Sequence, residues 1–326
     1  MPYQMPFNYL LNPGHTACAG CGELLAMRHV LQAAGRNTIV ANATGCSEVT
    51  TTRFPTSSFK VPWIHANFEN ASSVASGVLA ALRNKKNPNK IQEIRMLRNN
   101  NKNGNSENSD SVSNSDYIVP NIIAWGGDGA TFDIGFGLIS GSWERGENIL
   151  YVCFDNEAYE NTGVQYSGAT PLGANTTTTP PGKNSLGNYT QKKDMISIAL
   201  AHGCVYVATA TAGNLIDVEN KVKKALSIPG PKYLQILVTC VPGWATESKD
   251  TIKVSRLAQQ TGVYPVVEYE NGRLVKADKV PKPAPKVEEY LKLQGRFKHL
   301  FKSEEGKKEI ALIQAKADEN IKKYGL

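Results

Sequence analysis

Short apolar runs alternate with longer amphipathic stretches over most of the chain. Buried strands are predicted by the apolar runs at 38–42, 121–125, 148–154, 204–210 and 233–239. A stretch rich in small residues at 68–86 predicts a closely packed helix, and helical patterns precede the last two strands. Because strands that alternate with helices form parallel sheets, the pattern predicts an α/β fold whose parallel sheet carries helices on both faces.

Two segments break this alternation. Residues 99–115 are almost entirely polar, with Asn and Ser repeated, and they predict a disordered surface insertion. Residues 280–286 read VPKPAPK and predict a stiff Pro-rich linker, and the chain beyond them predicts an amphipathic helical tail. We therefore expect one domain over residues 1–279, followed by a linker and helical tail over residues 280–326.

The composition is that of a globular protein, with 41% hydrophobic and 20% charged residues among 326. The net charge of +7 is spread along the chain, without basic runs interleaved with aromatic residues, so we expect no nucleic-acid partner. The N-terminus lacks the pattern of a signal peptide, and no apolar run is long enough to span a membrane. We expect a soluble cytoplasmic protein whose six cysteines are thiols or metal ligands rather than disulfides.

Polar residues with suitable chemistry follow two of the predicted strands. Gly127-Asp128-Gly129 comes after the strand at 121–125, and Asp155-Asn156 comes after the strand at 148–154. The glycines allow a diphosphate to approach the backbone closely. Asp128, Asn156 and the carbonyl of Ala158 offer the oxygen ligands that Mg²⁺ prefers. The alternative is that the Gly-Asp-Gly sequence forms a plain turn.

Several other polar residues lie near this predicted site in the sequence. Asn161 and Thr162 follow within one turn and could reach the diphosphate or a substrate carboxylate; alternatively, one of them caps a helix. For Glu23 and Glu69, a charge at a helix terminus is the simpler interpretation. For the two neighbouring histidines, a neutral ring hydrogen-bonded within a turn is favoured over a catalytic base; these are His15 and His65.

Four cysteines can converge at the same edge of the sheet. Cys18 and Cys21 lie in a Gly-rich turn before a helical pattern, Cys46 follows the first predicted strand, and Cys240 follows the last. Four thiolates bind zinc or an iron–sulfur cluster, although a zinc ribbon normally has two close pairs. A redox dithiol would need neither Cys46 nor Cys240.

The other two cysteines lie within apolar runs. Cys153 lies mid-strand and is interpreted as a buried small hydrophobic residue, whereas Cys204 is the alternative fourth ligand.

These motifs together resemble one family. The sequences HTACAGCGE, ANATGCSEVTTT, VPWIHANFENA, GGDGATFDIGFG, DNEAYENTGVQYSGATP and CVPGW are similar to those of the thiamine-diphosphate-binding β subunits of the 2-oxoacid:ferredoxin oxidoreductases, over about residues 10–260. Asp155 stands where the thiamine-diphosphate signature usually has an Asn. The resemblance implies a thiamine-diphosphate-binding fold with thiamine diphosphate, Mg²⁺ and one [4Fe–4S] cluster as cofactors.

The resemblance also implies roles for individual residues. The cluster would be ligated by Cys18, Cys21, Cys46 and Cys240, and Mg²⁺ by Asp128, Asn156 and the carbonyl of Ala158. Cofactor binding is assigned to Glu23, Cys46, Gly127, Asp128, Gly129, Asn156, Ala158 and Asn161, and a catalytic role to Asn161 and Thr162, with Asn161 near the substrate.

The implied reaction is the oxidative decarboxylation of a 2-oxoacid with coenzyme A to acyl-CoA and CO₂, with electrons passing through the cluster to ferredoxin. Pyruvate is the favoured substrate, and 2-oxoisovalerate is the alternative. The implied partners are an α subunit, which supplies the activating Glu, and γ and δ subunits. Two other hypotheses are a non-redox thiamine enzyme with structural zinc and a non-catalytic iron–sulfur scaffold that binds an anion.

Overall fold

The computed structural model of the chain describes residues 9–85 and 120–326, so the predicted insertion at 99–115 lies outside the described residues. The helices are α1 (Gly22–Ala34), α2 (Cys46–Val49), α3 (Ala71–Lys85), α4 (Phe136–Glu144), α5 (Met195–Ala201), α6 (Leu215–Ser227), α7 (Val241–Trp244), α8 (Thr251–Gln260), α9 (Val287–Lys292) and α10 (Glu304–Tyr324). A π-helix covers Gly129–Ile134, and 3₁₀ turns cover Ser248–Asp250 and Gly295–Lys302. The strands are β1 (Thr38–Ala43), β2 (Trp63–Ala66), β3 (Asn121–Gly127), β4 (Leu150–Asp155), β5 (Tyr206–Thr211), β6 (Lys232–Leu237), β7 (Val267–Glu270) and β8 (Arg273–Ala277).

The strands form one eight-stranded sheet in the order β2-β1-β3-β4-β6-β5-β7-β8. Neighbours from β2 to β5 in this order are parallel, whereas β7 and β8 join antiparallel at the far edge. The α/β prediction is confirmed, and all five predicted strands are present. The sheet is mixed rather than wholly parallel, however, and β2, β7 and β8 were not predicted.

The missed hairpin has a recognisable cause. Strand β8 is exposed along most of its length, so it lacks the apolar run that predicts a buried strand. The two-residue turn before it is Asn271-Gly272, and both residues have positive φ, at 49° and 77°. This dipeptide is the usual sequence of a tight hairpin turn, so the signal was in the sequence at the turn rather than in the strands.

Helices cover both faces of the parallel part of the sheet, as predicted. Helices α1 and α6 pack together on one face, over a core that includes Trp125, Phe154 and Leu234. Helices α3, α4 and α5 cover the other face, over a core that includes Tyr151 and Tyr233. Strands β4, β5 and β6 are buried at every position, as expected for central parallel strands covered on both sides.

The C-terminal tail is helical and packs against the domain. Side chains of α9, the second 3₁₀ turn and α10 share a third core with Leu237, Trp244 and Val254. Phe297 and Leu300 of the tail are almost completely buried in it. The division into a domain and a separate tail remains a prediction, but the packing brings tail side chains close to the carboxyl ends of the strands.

No helix within residues 9–85 and 120–326 is both long and apolar enough to cross a membrane. The parallel arrangement determines where the polar turns meet. Strands β1, β3, β4 and β6 run in one direction, so the turns after Ala43, Gly127, Asp155 and Leu237 all leave the sheet at one edge. Open parallel sheets bind ligands at this edge.

Candidate active site

A cavity of about 210 Å³ lies at the carboxyl edge of the parallel strands. Eight of the residues singled out in the sequence line it, namely Glu23, Cys46, Gly127, Gly129, Asn156, Ala158, Asn161 and Thr162. Six further lining residues were not assigned a role from the sequence, namely Thr44, Gly45, Asn67, Phe68, Tyr159 and Glu160. Asp128 is fully buried and is bonded to the backbone of Asn156, which lines the cavity. The topology therefore brings the predicted magnesium and diphosphate residues together.

The predicted magnesium ligands are in mutual contact. One polar atom of the Asn156 amide lies 2.7 Å from Asp128 Oδ1 and 2.8 Å from the carbonyl oxygen of Ala158. If that atom is the amide nitrogen, Asn156 donates hydrogen bonds to both oxygens; if it is the amide oxygen, three oxygens come together. Mg²⁺ binds oxygens at about 2.0–2.1 Å in an octahedron, which places adjacent ligands about 3 Å apart. The donor set and its spacing fit Mg²⁺.

The carboxyl of Asp128 is held in a strongly perturbed environment. Burial and the nearby Asp155 raise the pKa of Asp128 well above its usual range, while a hydrogen bond from Ser167 and the charge of Lys192 lower it. The backbone N–H of Asn156 also donates to Asp128 Oδ1, at 3.3 Å. A divalent cation at the three oxygens would favour the ionised carboxylate, because its charge is the largest in such a site.

The two glycines of the motif serve different purposes. A Cβ on Gly129 would overlap the ring of Tyr159, so only glycine fits beneath that ring. At Gly127 the nearest atom to an added Cβ is the carbonyl oxygen of Phe154, at 3.9 Å, so the missing side chain leaves free space on the cavity side. The space at Gly127 fits the close approach of a diphosphate to the backbone.

Glu157 lies between two predicted magnesium ligands and has an unusual backbone. Its φ is +69°, in the left-handed region that non-glycine residues seldom adopt. Its buried carboxylate accepts from Lys192 Nζ at 2.9 Å and from Arg296 Nη2 at 2.5 Å. Burial alone would raise the pKa of Glu157, but the two cations outweigh it and the pKa is lowered. Lys192 also pairs with Asp155, at 2.5 Å.

Three of the four predicted cluster ligands lie at the start of a helix, since Cys21 precedes α1, Cys46 begins α2 and Cys240 precedes α7. Cys18 is exposed, and Cys21, Cys46 and Cys240 are half-buried. Cys21 caps α1, because its sulfur accepts from the N–H of Leu24 at 3.4 Å. Burial, followed by the charge of Glu23, raises the pKa of the Cys21 thiol to about 11.

Electrostatic effects link the remaining thiols. The pKa of the Cys46 thiol is raised mainly by burial, then by Glu23 and Cys21, and the pKa of the Cys240 thiol by burial, Glu160 and Cys46. Across residues 9–85 and 120–326, no three His, Cys, Asp or Glu side chains are grouped so that they could hold a metal ion. Structural zinc at these cysteines remains the alternative prediction. The ligation of an iron–sulfur cluster, whose cysteines bind separate irons, remains a prediction.

The alternative ligand Cys204 is excluded by topology. Cys204 precedes β5 and Cys240 follows β6, and these neighbouring strands are parallel. The two cysteines therefore lie at opposite edges of the sheet. Cys153 is fully buried within β4, as expected for a small hydrophobic residue.

Two buried carboxyls border the cavity. Neither forms an ion pair with a residue that the structure describes. Burial raises the pKa of Glu23 to about 7, although Asn156 Nδ2 faces it at 3.4 Å. Burial also raises the pKa of Glu160 to about 7, and neither of its oxygens has a hydrogen-bond partner of good geometry. Glu23 lies in the first turn of α1, as the interpretation as a charge at a helix terminus predicts, but its side chain is also a buried group of the cavity wall.

Asn161 and Thr162 are exposed at the cavity rim. No helix begins within residues 157–173, all of which the structure describes, so the helix-cap alternative is wrong. Thr162 Oγ1 donates instead to the side chain of Gln165. His65 lies in strand β2 rather than in a turn, so that part of the prediction is wrong, but its Nε2 lies 2.7 Å from Thr44 Oγ1, in agreement with a hydrogen-bonded ring.

Comparisons with known proteins identify relatives of this chain. Residues 117–236 match the family of C-terminal TPP-binding domains of thiamine pyrophosphate enzymes. The chain is 47% identical to pyruvate synthase subunit PorB of Methanosarcina barkeri, over 98% of each chain. It is 45% identical to the PorB subunit of Methanocaldococcus jannaschii over 99% of each chain. It is 40% identical to ketoisovalerate oxidoreductase subunit VorB of Pyrococcus abyssi, over 92% of this chain and 89% of that one.

A solved structure supports the fold. The 2-oxoglutarate:ferredoxin oxidoreductase of Magnetococcus marinus, determined with 2-oxoglutarate, coenzyme A and succinyl-CoA bound, superposes with a TM-score of 0.55. The match covers 86% of this chain and 87% of that chain at 20% identity, so it shows the fold alone. On the nearly full-length similarity to the curated relatives, this chain belongs to the family of the PorB subunits of pyruvate synthases and the VorB subunits of ketoisovalerate oxidoreductases.

Proposed function

We propose that this chain is the thiamine-diphosphate-binding β subunit of a 2-oxoacid:ferredoxin oxidoreductase that acts on pyruvate. The observation that carries the proposal is the contact of Asp128, Asn156 and the carbonyl of Ala158 at a glycine-bordered cavity. It occurs in a chain that is 47% identical to a pyruvate synthase subunit. The overall reaction would convert pyruvate and coenzyme A to acetyl-CoA and CO₂, with two electrons passed to ferredoxin.

Within this proposal, the chain's own residues bind and orient. Asp128, Asn156 and Ala158 would hold Mg²⁺, and the backbone at Gly127 would accept the diphosphate. Asn161 and Thr162, on the exposed rim, would contact the substrate. Thiamine diphosphate, when bound, supplies the electron sink that allows a 2-oxoacid to lose CO₂. Cys18, Cys21, Cys46 and Cys240 would hold a [4Fe–4S] cluster, which supplies a path for single electrons.

The size of the cavity favours completion of the site by another subunit. Its volume of about 210 Å³ is smaller than the roughly 300–1,000 Å³ of typical small-molecule sites. We therefore infer that an α subunit covers the cavity and supplies the Glu that activates thiamine diphosphate. Further γ and δ subunits would pass electrons to ferredoxin, and the complex would work in the cytoplasm.

A second substrate has a specific observation in its favour. The chain is 40% identical to a ketoisovalerate oxidoreductase subunit, so 2-oxoisovalerate is the alternative 2-oxoacid. The kcat/KM of the anaerobically purified complex should be highest for pyruvate when compared with 2-oxoisovalerate and 2-oxoglutarate. A higher value for 2-oxoisovalerate would select the alternative. Absence of Mg²⁺-dependent thiamine diphosphate binding would overturn the proposed function.

A further inference from the structure

The turn formed by residues 155–158, here called the magnesium turn, is held in place from outside. Its third residue, Glu157, has the left-handed φ of +69°. A non-glycine residue keeps this conformation only when surrounding contacts over-determine it. Since Glu157 separates Asn156 from Ala158, its conformation decides how the side chain of one and the carbonyl of the other are directed.

Arg296, in the C-terminal tail, contacts this turn through its guanidinium group. Nη2 donates to Glu157 Oε2 at 2.5 Å, and Nε donates to Gln294 Oε1 at 2.9 Å. The side chain is only 4% exposed, so it is a buried charge matched by a buried carboxylate. Without Arg296, the buried Glu157 carboxylate would be left with Lys192 alone, a cation that it shares with Asp155.

The same guanidinium group also stacks on Trp244. Its central carbon lies 3.9 Å from the centroid of the Trp244 ring system. Trp244 Nε1 donates to the carbonyl oxygen of Asn156 at 2.7 Å, and its backbone N–H donates to the carbonyl of Cys240 at 2.9 Å. Arg296 therefore reaches the magnesium turn by two routes, and the second route passes through the segment that follows Cys240.

We propose that Arg296 is a positioning residue for the magnesium site. By holding Glu157 and Trp244, it keeps Asn156 and Ala158 directed toward Asp128. The C-terminal tail thus contributes to cofactor binding although it supplies no ligand. This role rests on the proposed function, because it requires Mg²⁺ to bind at these oxygens.

The test uses the complete anaerobic complex and measures the affinity for Mg²⁺ at saturating thiamine diphosphate. Arg296→Met should weaken Mg²⁺ binding about tenfold, and Glu157→Gln should have a similar effect. The double variant should bind within about twofold of Arg296→Met, since that substitution already removes the interaction between Arg296 and Glu157. Arg296→Lys keeps the charge but loses the planar fork and the stacking on Trp244, so it should recover only part of the affinity. Bound iron should be unchanged in all of them.

Leu300→Ala is the matched control. Leu300 is fully buried in the same tail, so its truncation should lower the Tm while leaving Mg²⁺ affinity within about twofold of wild type. If Arg296→Met behaves in the same way, Arg296 only anchors the tail and the proposal is overturned. If the wild-type complex binds Mg²⁺ and thiamine diphosphate but Arg296→Met binds them equally well, this inference alone fails. If the wild-type complex shows no such binding, the proposed function fails and the role of Arg296 with it.

Discussion

Two groups of buried acidic side chains lie at one edge of the sheet, and they differ in whether a cation of the chain pairs with them. In the magnesium turn, the carboxylates of Asp155 and Glu157 are matched by Lys192, and Glu157 also by Arg296. Around the cysteines, Glu23 and Glu160 form no ion pair with any described residue, and the pKa of each is raised to about 7 by burial.

The difference shows which buried acids the chain balances with its own cations and which it leaves without one. A buried acid that lacks a cation avoids the cost of charge by retaining its proton. The thiols nearby follow the same rule, since burial raises the pKa of Cys21, Cys46 and Cys240. Thiolates become favourable there only if positive charge arrives, and the irons of a cluster would provide it. The magnesium turn, in contrast, is already held by protein cations.

The largest expected effect concerns the cysteines. Cys46→Ser and Cys240→Ser should each lower bound iron and abolish ferredoxin reduction, because each removes one of the predicted thiolate ligands. Iron content of the anaerobically purified complex and the rate of ferredoxin reduction check this directly.

Cys153→Ser and Cys204→Ser are the matched controls, since both thiols are buried in the core that covers the opposite face from α1. Both should retain full iron. Loss of iron in Cys204→Ser with full iron in Cys240→Ser would contradict the ligand assignment and the parallel pairing of β5 with β6.

The next effect concerns the magnesium turn. Asp128→Asn keeps the shape of the side chain but removes the only carboxylate among the predicted magnesium ligands. At an effective dielectric constant of about 20, two charges a few ångströms apart interact by about 4 kcal/mol. A third of that corresponds to roughly tenfold weaker binding. We expect thiamine diphosphate and Mg²⁺ to bind at least about tenfold more weakly, with the cluster retained, in titrations of the anaerobic complex.

Asp217→Asn serves as the control for loss of a buried carboxylate. Asp217 pairs with Lys221 at 2.5 Å on helix α6, away from the cavity. Its substitution should lower stability without changing cofactor affinity. Unchanged affinity in Asp128→Asn would mean that Gly127-Asp128-Gly129 is only a turn.

The sequence predicts one side of this comparison better than the other. The apolar runs locate both ends of each of the five central strands to within two residues. Residues that follow these strands supply part of the cavity wall. Parallel topology then places the carboxyl ends of these five strands at one edge of the sheet. Local pattern and simple topology thus suffice to bring Asp128 and Asn156 together.

The pairing of Glu157 with the cations Lys192 and Arg296 could not be predicted in this way. Lys192 and Arg296 lie 35 and 139 residues from Glu157, and neither belongs to a motif. Within residues 126–163 the sequence has only one basic residue, Arg145, and it pairs with Glu147 away from the cavity. Periodicity reports the burial of a segment but not which distant side chain satisfies it. The left-handed φ of Glu157 is equally invisible, since nothing in the sequence marks it.

The last expected effect concerns Glu160, a buried acid that forms no ion pair with a described residue, and it is confined to stability. In the cluster-free chain, the pKa of Glu160 is about 7, because burial and the charge of Glu157 outweigh the opposing influence of Arg296 and Cys240. In the unfolded chain this carboxyl loses its proton near its ordinary pKa of 4.5, whereas in the folded chain it keeps the proton up to about pH 7. Ionisation therefore favours the unfolded chain, and the carboxyl lowers the free energy of unfolding progressively as the pH rises from about 4.5 to 7. Glu160→Gln removes the penalty and should raise the free energy of unfolding by about 1–3 kcal/mol at pH 8, with little gain at pH 5. Denaturant unfolding at the two pH values measures the difference, and any cost of the amide itself cancels because it is common to both.

Glu247→Gln, at a fully exposed carboxylate paired with Lys249, should give no such pH-dependent gain. An equal effect of Glu160→Gln at both pH values would show that Arg296 keeps Glu160 ionised, and the contrast between the two groups of buried acids would then disappear.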